Sequence, residues 1–425
     1  MKVLLLGNGA REHALAWAFE RSKRNAGLFC LPGNAGTEDI AHNIEGDPCD
    51  PATVLAAYKA CKADIVVIGP EGPLAAGVAD ALRAEGAKVF GPGAGPARLE
   101  SSKAFARSFT ERAGIPTAMS ARFSTYKDFD AWLTATRGSL APSAPFTGKI
   151  VLKKSGLAAG KGVLESDDVN ELRAFAQAVL ASDELLVEEY LVGYELSVFA
   201  LTDGEHYCLL PACADHKKAF DGNRGANTGG MGAVCPVPPA DKALMERIDR
   251  EIVAPSFKQM QKEGLGYRGV LFFGIMVCED GPKLLEYNVR LGDPETQSLV
   301  PLLAVDIGDL FEAVTSGSVA GLKPQFRGVS AVGLTVAAPG YPEAYPTGLS
   351  VKALPACDGN RLVFHAATAR AKDGSLLTGG GRCFTVVGLG SDYFEAHARA
   401  LEGAKAVVFE GAWHRNDIGK SFFIE

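Results

Sequence analysis

The first hundred residues alternate short aliphatic runs with helical periodicity, and this rhythm constrains the fold more than any other feature of the sequence. Apolar runs predict strands at residues 2–6, 29–31, 65–68 and 88–90, each followed by a glycine or a proline, and periodicity predicts helices at 11–23, 51–62 and 73–86. Strands and helices that alternate in this way predict a doubly wound parallel sheet, whose ligands bind at the carboxyl ends of the strands.

Glycine-rich loops follow the predicted strands, and the first of them, residues 7–13 (GNGAREH), invites comparison with a dinucleotide-binding fingerprint. The comparison fails at Glu12, which occupies the position of the third glycine. It also fails at Pro32, where the second strand ends without a ribose-binding acid. An NAD or FAD site is therefore disfavoured, whereas a nucleotide or sugar-phosphate site and a tight structural turn both remain open.

The rest of the chain divides into further units. A helix follows residue 103, and a loop rich in Ser, Pro and Gly at 138–148 precedes a pattern of strand, glycine-rich turn, strand, helix and strand that ends near 191. A larger α+β block extends to about 326, and strands near 329–337 and 382–387 mark a small final domain. We therefore predict α/β and α+β domains at 1–102, 103–326 with a lid at about 123–191, and 327–425.

Composition excludes several classes of function. The net charge of −7 provides no general attraction to nucleic acid or to anionic membranes. The sequence has no apolar stretch of about 20 residues and no N-terminal signal peptide, so we expect a cytoplasmic protein. Its nine cysteines are scattered and form no C-x-x-C pair, which indicates neither a disulfide framework nor a zinc site, and we interpret them as reduced and mostly structural.

The segment 156–162 (GLAAGKG) resembles a P-loop, but it is one residue too short before its Gly-Lys pair, and Gly162 replaces the Ser or Thr that would hold Mg²⁺. A glycine-rich turn between two strands suits a flap that folds over a triphosphate, with Lys153 and Lys161 against its oxygens. An ordinary flexible hairpin is the alternative.

The segment 284–290 (LLEYNVR) is more specific, because strand alternation places Glu286, Asn288 and Arg290 on one face. Oxygen ligands at positions i and i+2 suit Mg²⁺ shared with phosphate oxygens, and Arg290 presents a planar fork to a phosphate or carboxylate. A buried salt-bridge network is the alternative. The following residues 292–297 (GDPETQ) form a sharp turn with two carboxylates, which either support the metal site or belong to the turn alone.

Two further segments carry weaker signals. The strand at 185–191 runs into a linker whose backbone suits an adenine edge, while Glu188 or Glu195 would reach the ribose, although solvated surface charges are the alternative. Residues 215–218 (DHKK) and 227–232 (NTGGMG) suit closure over an acyl phosphate, and His216 is interpreted as a satisfied or solvent-facing side chain. Nucleophilic side-chain catalysis is not indicated, because neither a Ser/His/Asp order nor a Cys/His pairing has supporting spacing.

In order and spacing, these motifs resemble the ATP-grasp ligases and, over essentially the whole chain, the phosphoribosylamine–glycine ligase (glycinamide ribonucleotide synthetase) family. The resemblance rests on residues 7–14, 32–37, 156–163, 215–217, 227–233, 286–297 and 415–419. It implies an ATP-grasp fold with a Rossmann-like pre-ATP-grasp domain, a lid that clamps ATP between two antiparallel sheets, and a small C-terminal domain.

The activity implied by the resemblance joins glycine to 5-phosphoribosylamine through a glycyl phosphate, with ATP as co-substrate and Mg²⁺ or Mn²⁺ as cofactor, in the second step of de novo purine biosynthesis. Its partners would be these small molecules, without nucleic acid or membrane, in a monomer or weak dimer. Another ATP-grasp carboxylate–amine ligase or carboxylase of purine metabolism is the alternative, and a nucleotide-binding regulatory protein without turnover is a more distant one.

The resemblance also implies roles for individual residues. Those implied to bind ATP are Lys103, Lys153, Gly156, Gly160, Lys161, Gly162, Glu188, Glu189, Tyr190, Leu191 and Glu195. Those implied to bind the other substrates are Gly9, Arg11, Asn34, Glu71, Asp215, Asn227, Gly229, Gly230, Arg290 and Arg382. The metal ligands would be Glu286 and Asn288, and the catalytic residues Arg290, Asp215 and Lys153.

The sequence departs from the family pattern at a few positions. Lys154 and Ser155 stand where the family usually has Ala-Asp, which removes one negative charge from the lid and adds one positive charge. Asn223 and Ala226 replace a common Asp and Pro, and Ala10 replaces a frequent Gly. Because no proposed metal ligand is lost, we expect these changes to affect lid closure and nucleotide affinity more than the reaction.

Overall fold

A computed structural model of the chain describes residues 1–137, 146–156 and 162–423. Two residues predicted to bind ATP, Gly160 and Lys161, lie outside the described residues, as does most of the predicted loop at 138–148.

The N-terminal region is a five-stranded parallel sheet in the order β3-β2-β1-β4-β5. Its strands are β1 (Lys2–Gly7), β2 (Gly27–Pro32), β3 (His42–Asn43), β4 (Ile65–Ile68) and β5 (Val89–Phe90). Its helices are α1 (Ala10–Glu20), α2 (Pro51–Cys61), α3 (Glu71–Ala75), α4 (Val78–Ala84) and α5 (Ala94–Ser101). Every residue of β4 is buried, as expected for a parallel strand covered on both faces. The predicted doubly wound sheet is confirmed.

The helix predicted at residues 73–86 is wrong in its continuity. The structure has two short helices there, α3 and α4, separated by Gly77 at φ 78°. A left-handed residue cannot continue a right-handed helix, and glycine adopts this conformation without a steric cost. Helix α5 was not predicted, and it places Glu100 near the site described below.

The lid is an antiparallel sheet in the order β6-β9-β7-β8, backed by two helices. After α6 (Lys103–Ala113), its elements are β6 (Ser120–Phe123), α7 (Tyr126–Arg137), β7 (Ile150–Lys154), β8 (Val163–Ser166), α8 (Val169–Leu180) and β9 (Leu185–Glu189). Phe129, Leu133, Leu152 and Leu172 belong to an apolar cluster of its own. The predicted order of strand, turn, strand, helix and strand is confirmed.

The central block contains a second antiparallel sheet in the order β11-β10-β16-β17. The strands of the whole central block are β10 (Tyr194–Thr202), β11 (Tyr207–Leu209), β12 (Ala214–Asp215), β13 (Lys218–Phe220), β14 (Arg224–Asn227), β15 (Gly232–Cys235), β16 (Gly269–Cys278) and β17 (Gly281–Asn288). Its helices are α9 (Lys242–Ile248), α10 (Ala254–Lys262), α11 (Glu295–Leu299) and α12 (Ile307–Ser316), with a π-helical turn at Asp249–Val253 and a 3-10 turn at Val300–Leu302.

The third large sheet crosses the predicted boundary at residue 327, because its order is β12-β15-β18-β22-β19. The C-terminal elements are β18 (Ser330–Ala337), β19 (Arg361–His365), β20 (Thr368–Arg370), β21 (Leu376–Thr378), β22 (Arg382–Gly390), α13 (Tyr393–Lys405) and a 3-10 turn at Lys420–Phe422. The strands predicted near 329–337 and 382–387 correspond to β18 and β22. The C-terminal strands therefore extend a sheet that begins beside Asp215.

Gly388 on β22 allows α13 to pack closely against the sheet. A Cβ atom at this position would collide with the carbonyl oxygen of Ala396 and lie 2.5 Å from the amide nitrogen of Ala400. We expect Gly388→Ala to lower the free energy of unfolding by about 1–3 kcal/mol, because helix backbone cannot move aside cheaply. Urea unfolding monitored by circular dichroism measures this change.

Gly95→Ala is the matched control, since Gly95 lies in helix α5 with no atom within 4 Å of the added Cβ. We expect it to be neutral or to stabilise by up to roughly 1 kcal/mol. Equal unfolding free energies for the two variants would contradict the close packing inferred at Gly388.

Candidate active site

Strand β17 delivers polar side chains to the cleft between the lid sheet and the central sheet. Glu286 and Asn288 lie on β17, and Arg290 follows two residues later. The Nη2 atom of Arg290 donates to Oδ1 of Asn288 at 3.1 Å, whereas Tyr287 and Val289 between them are buried in the core. The three polar side chains therefore share one face, as the alternation predicts.

The carboxylate of Glu286 is surrounded by cations from both sides of the cleft. The Nζ atom of Lys217 lies 3.9 Å from its Oε1, and 41% of the Glu286 side chain is exposed. Burial by itself raises the pKa of Glu286, but Lys217, Lys153, Lys103 and Arg290 together lower that pKa below its ordinary value. Glu286 is therefore ionised at neutral pH.

Arg290 is fixed by two carboxylates from the N-terminal region. Its Nη2 lies 2.7 Å from Oε1 of Glu100, and its Nε lies 3.4 Å from Oε2 of Glu71. The other oxygen of Glu100 accepts from the backbone N–H of Val289 at 2.8 Å. Burial lowers the pKa of Arg290, but Glu100 and Glu71 outweigh it and raise that pKa. The guanidinium is thus charged and oriented before any ligand binds.

Lys153 and Glu188 face each other across the lid sheet. Lys153 Nζ lies 2.6 Å from Glu188 Oε2, and the other oxygen of Glu188 is paired with Arg107. Arg107 also donates to the carbonyl of Ala118 at 2.7 Å. Because Glu188 is only 4% exposed, its side chain belongs to a buried ion-pair network. Its carboxylate is therefore occupied by Lys153 and Arg107, and its backbone lies between β6 and β7 in the lid sheet.

Helix α6 begins against the glycine-rich loop. The backbone N–H of Lys103 donates to the carbonyl of Ser155 at 3.1 Å, and its Nζ donates to the carbonyl of Gly156 at 3.4 Å. Ser155 Oγ accepts from the N–H of Ala104 at 3.3 Å. Burial lowers the pKa of Lys103, and the nearby Glu286 offsets this only in part. Lys103 therefore lies against the glycine-rich loop, and both were predicted to contact ATP.

The two unusual residues of the lid have local partners. Lys154 Nζ lies 3.9 Å from Oδ2 of Asp183, and the same oxygen accepts from the N–H of Gly156 at 3.1 Å. The N–H of Lys154 donates to the carbonyl of Gly162 at 2.8 Å, which closes the base of the glycine-rich turn. Asp183 therefore offsets part of the added positive charge, although a half-exposed pair at this distance stabilises little.

The end of β9 borders a cleft of about 560 Å³. Glu189 is tied to the lid because its Oε1 accepts from the N–H of Met119 at 2.9 Å, and the ring of Tyr190 lies 4.4 Å from Lys149 Nζ. The cleft is lined by Glu189, Tyr190, Leu191, Val192, Cys278, Glu279, Asp280 and Lys283. The linker predicted to bind adenine thus lies at a recess of suitable size.

Lys217 connects two residues that were predicted to contact ATP and metal. Its Nζ lies 2.7 Å from Oε2 of Glu195 and faces Glu286. Burial lowers the pKa of Lys217, but Glu195 and Glu286 raise it above its ordinary value. The sequence analysis identified the DHK motif but assigned no role to this lysine. Its contacts with Glu195 and Glu286 show that it pairs with both carboxylates.

Asp215 and Glu295 form a pair of carboxylates at one end of the cleft. Glu295 is 2% exposed and accepts from Ser197 Oγ at 2.8 Å, whereas Asp215 Oδ1 has no hydrogen-bond partner among the described residues. Burial, followed by the like charge of Glu295, raises the pKa of Asp215 well above its ordinary value. Glu295 lies in the GDPETQ segment and was not predicted as a site residue.

Arg382 closes the same end of the site from the C-terminal strands. It donates to the carbonyl of Gly229 at 2.6 Å and lies 3.2 Å from Oδ1 of Asp293. The N–H of Gly229 donates to the hydroxyl of Tyr341 at 3.0 Å. Gly230 has φ 111°, and a Cβ there would lie 2.7 Å from Oδ1 of Asp215. The structure therefore brings Arg382, Gly229, Gly230 and Asp215 together.

Asn227 is the remaining member of this loop that was predicted to bind substrate. It ends β14, where it pairs with Lys218. The next residue, Thr228, uses its N–H and hydroxyl to bind the carbonyl of Lys217 at 2.7 and 2.8 Å, and Thr228 Oγ1 accepts from the N–H of Gly230 at 3.0 Å. These bonds fix the loop from Asn227 to Gly230 relative to Lys217.

Glu12 fills the crevice at the carboxyl ends of β1 and β4. Its two oxygens accept from the N–H of Gly9 at 2.7 Å and from Arg11 Nε at 2.5 Å. A Cβ at Gly7 would lie 2.7 Å from the Glu12 carboxyl carbon, and one at Gly69 would collide with the same carboxylate. A dinucleotide cannot occupy this space, which supplies the physical reason for disfavouring an NAD site.

Asn34 lies in the predicted site region, but its amide is used by backbone. Its Nδ2 donates to the carbonyls of Asn8 at 2.9 Å and His365 at 2.8 Å, and its Oδ1 accepts from the N–H groups of Gly36 and Thr37 at 2.9 and 3.0 Å. Asn34 thus joins the first glycine loop to the C-terminal strands, and its side chain supports the loop.

His216 is buried, so the solvent-facing interpretation is wrong. Its Nε2 accepts from the N–H of Gly419 at 3.0 Å, whereas Nδ1 has no hydrogen-bond partner among the described residues. Burial and the neighbouring Arg415 lower the pKa of His216 to about 4. The ring is therefore neutral at physiological pH and supports the backbone on the C-terminal side.

Glu286 and Asn288 fit a divalent cation of the Mg²⁺ type. They present a carboxylate and an amide oxygen from one strand face, and hard oxygen ligands are those that Mg²⁺ prefers. The described residues contain no group of three or more His, Cys, Asp or Glu side chains that could hold a metal ion. Two protein ligands are a partial set, which suits an ion whose remaining coordination positions are filled by phosphate oxygens and water.

Known structures share this fold. The chain is similar to phosphoribosylamine–glycine ligase from Thermotoga maritima, with a TM-score of 0.81 and 34% identity over 98% of this chain and 100% of that one. It is also similar to a biotin carboxylase from Campylobacter jejuni, with a TM-score of 0.72 and 15% identity over 99% and 94%, which shows the fold alone. The two facing sheets, with cations around Glu286, define an ATP-grasp enzyme.

Sequence comparison identifies the family. Phosphoribosylglycinamide synthetase models match the chain as the N domain at residues 1–100, the ATP-grasp (A) domain at 101–296 and the C domain at 331–421. A relative named phosphoribosylamine–glycine ligase, from Agrobacterium fabrum, is 41% identical over 425 residues, which cover 99% of this chain and 98% of the relative. The chain belongs to the phosphoribosylglycinamide synthetase family and is an ATP-dependent ligase.

We expect Glu100→Ala to reduce kcat/KM by roughly 10- to 100-fold, because Arg290 would lose its principal anchor and small displacements at a reacting centre are costly. The carboxylate of Glu100 holds both the Arg290 guanidinium and the Val289 backbone. Steady-state kinetics of purified protein with a native circular dichroism spectrum measures the effect. Glu111→Ala, an exposed residue on α6, is the control, and equal activity of both variants would argue against this anchoring role.

The Asp215 carboxylate should make stability depend on pH. In the unfolded chain an aspartate has a pKa of about 3.9, so the unfolded state ionises before the folded state as pH rises. Wild type therefore loses stability above that pH until the raised folded-state pKa is passed, whereas Asp215→Asn does not. We expect the stability margin of the variant over wild type to grow as the pH rises above about 4, until the raised folded-state pKa of Asp215 is passed.

Thermal unfolding across that pH range measures the margin. Glu410→Gln removes one carboxylate from an exposed position and controls for net charge. A margin for Asp215→Asn that stays constant with pH would show that the folded-state pKa of Asp215 is not raised.

Proposed function

We propose that the chain joins glycine to 5-phosphoribosylamine at the expense of ATP, giving glycinamide ribonucleotide, ADP and phosphate, in the second step of de novo purine biosynthesis. The observation that carries the proposal is the ring of Lys103, Lys153, Lys217 and Arg290 around the ionised Glu286. Relatives named phosphoribosylamine–glycine ligase match the chain over nearly its full length.

ATP lies between the lid sheet and the central sheet in this proposal. Its adenine occupies the recess beside Glu189 and Leu191, where backbone groups read the base edge. Its phosphates extend toward Lys103 and Lys153, whose ammonium groups offset their negative charge. The glycine-rich loop that contains Gly156 and Gly162, with Gly160 and Lys161 between them, folds over the phosphates. Glu195 is placed to meet the ribose, since its side chain is 41% exposed.

Glu286 and Asn288 would hold Mg²⁺ or Mn²⁺ in this arrangement. When bound, such an ion supplies Lewis-acid polarisation and charge neutralisation at the phosphate oxygens. The lysines around Glu286 keep this carboxylate ionised, which is the form that a metal ion requires.

Glycine binds next to Arg290, with its ammonium group toward Asp215. The open Oδ1 of Asp215 is a buried acceptor without a partner among the described residues, and an ammonium group supplies the missing donor. The guanidinium of Arg290 orients the glycine carboxylate, and the backbone of Gly229 and Gly230 lies beside it. One carboxylate oxygen then attacks the γ-phosphorus of ATP, and ADP departs.

The amine of 5-phosphoribosylamine attacks the carbonyl carbon of the glycyl phosphate, phosphate departs, and the nitrogen loses a proton. We place the phosphoribosyl group beside the N-terminal glycine loops that contain Gly9 and Asn34. Glu71 and Arg11 border this position, and Arg382 closes it from the C-terminal side. The lid excludes water, which would otherwise hydrolyse the acyl phosphate.

Location and assembly complete the proposal. No helix within the described part of the chain is long and apolar enough to cross a membrane. We propose a cytoplasmic enzyme that acts as a monomer or weak dimer on small molecules, without a nucleic acid or membrane partner.

ADP release should require glycine, 5-phosphoribosylamine, ATP and Mg²⁺ together, which a coupled assay with each component omitted in turn tests. We expect Glu286→Gln to lower kcat by at least about 100-fold, because it removes the charge that a metal ion and the surrounding lysines share. Glu246→Gln, on the exposed face of α9, is the control.

Three outcomes would contradict parts of this proposal. Rapid ADP release with bicarbonate in place of glycine would favour an ATP-grasp carboxylase. Retention of full activity by Glu286→Gln would remove the proposed metal site. Absence of any substrate-dependent ADP release would favour a nucleotide-binding protein without turnover.

A further inference from the structure

The segment 415–419 (RNDIG) lies outside the reaction described above, although the sequence marks it as a motif. It belongs to the C-terminal region and packs against a hairpin of the central block. That hairpin, which we call the active-site hairpin, comprises residues 218–227, namely β13, β14 and the turn between them. Asp215 and Lys217 precede it in the chain, and Gly229 and Gly230 follow it.

Arg415 is the centre of the contact. Its side chain is 1% exposed, and its Nη1 donates to the carbonyl of Lys218 at 2.8 Å. Its Nη2 donates to Oδ1 of Asn223 in the turn at 3.0 Å, and Nε and Nη2 bind both oxygens of Asp417 at 2.8 and 2.9 Å. A single guanidinium thus binds the first strand and the tip of the hairpin at once.

Neighbouring residues of the same segment add further bonds to the tip. Asp221 accepts from the N–H of Asn416 at 2.8 Å and from its side-chain amide at 3.1 Å. Asp417 Oδ2 accepts from the N–H of Gly222 at 2.7 Å. Burial opposes ionisation of Asp417, but the bonds from Arg415 and Gly222 lower its pKa to about 2. The contact therefore stays charged throughout the physiological pH range.

The base of the hairpin is held by the same segment. His216 accepts from the N–H of Gly419, and a Cβ at Gly232 would lie 3.0 Å from the side chain of Ile418. Tyr393 holds this end of the segment, because its hydroxyl donates to the carbonyl of Ile418 at 2.9 Å. The segment thus contacts both ends of the hairpin.

We propose that Arg415 is a positioning residue that clamps the active-site hairpin and thereby holds Asp215, Lys217 and the Gly229–Gly230 backbone in place for glycine. The inference rests on the proposed function for the identity of that substrate. The hydrogen bonds of Thr228 to Lys217 continue the hairpin ladder, so a fixed tip fixes both of its arms. The proposed adenine recess and metal ligands lie at the end of β9 and on β17, which the clamp does not touch.

The hairpin also reaches the lid. Lys218 Nζ lies 3.6 Å from Oε2 of Glu165 on β8, and Lys149 lies 3.5 Å from the same oxygen. Lys218 is the residue whose carbonyl accepts from Arg415. The Lys218 side chain makes this contact with the lid, whereas Arg415 binds only the backbone carbonyl of Lys218.

Amide hydrogen exchange and kinetics of Arg415→Ala test the clamp in the full-length protein. We expect exchange in residues 218–228 to accelerate by about 10-fold or more, because hydrogen bonds at the tip are lost, while β22 stays protected. We expect kcat/KM for glycine to fall roughly 10- to 100-fold, with KM for ATP changing less than about 2-fold. An equal fall in kcat/KM for glycine and for ATP would overturn the positioning role.

Two further variants keep the test decisive. Asp221→Ala lies near the surface and removes both bonds from Asn416, so it should show the same pattern with smaller amplitude even where Arg415→Ala fails to fold. Arg399→Ala removes a C-terminal arginine that binds Leu389 and Glu395, with no contact to the hairpin. It should leave hairpin exchange and glycine kinetics at wild-type values.

The exchange measurement needs no substrate, so it separates failure of this inference from failure of the proposed function. Unchanged exchange of residues 218–228 in Arg415→Ala or in Asp221→Ala would overturn the clamp, whatever reaction the protein catalyses. Equal acceleration in Arg399→Ala would also overturn it, by showing a general loosening of the C-terminal region. Absence of glycine-dependent turnover in wild type would reject the proposed function alone.

Discussion

Pairing of opposite charges around Glu286 governs the arrangement of the site. Four cations approach one carboxylate, and each has another acidic partner nearby, such as Glu188 for Lys153 or Glu195 for Lys217. A buried charge is costly unless it is paired, so the protein stabilises these cations with its own carboxylates before a ligand is present. A triphosphate with its metal ion can then take over these partners, because it brings negative charge into the same cleft. The cations can therefore be paired both before a triphosphate binds and while it is bound.

The parts of the structure that could be predicted from sequence are those that local periodicity determines. The parallel sheet and the face shared by Glu286, Asn288 and Arg290 follow from local periodicity, which depends only on neighbouring residues. A β-bulge at Leu285 on β17, opposite Gly274 and Ile275, shifts the register, yet the alternation from Glu286 onward persists. The continuous helix predicted at 73–86 failed because Gly77, at φ 78°, was not recognised as a break.

Residues missed by the sequence reasoning share a different property. Glu100 meets Arg290 across 190 positions of the chain, and Glu295 meets Ser197 across 98. Lys217 lies in a motif that was recognised, but its partner Glu195 lies on another strand. Such contacts depend on how separate sheets pack, and no local pattern encodes them. The third large sheet depends on the same kind of packing, since β12 and β15 join β18 although about a hundred residues separate them.

In the N-terminal sheet, one residue fills the crevice in which a doubly wound sheet usually binds its ligand. Its strand order and glycine loops are those of a dinucleotide-binding unit, but Glu12 occupies the crevice with a carboxylate bound to Gly9 and Arg11. Glu12 leaves no room for a Cβ at Gly7 or Gly69, so glycine at these two positions makes space for the Glu12 side chain. Arg11 in turn donates to the carbonyl of Leu291, immediately after Arg290. The side chains in this crevice thus support the backbone that follows β17.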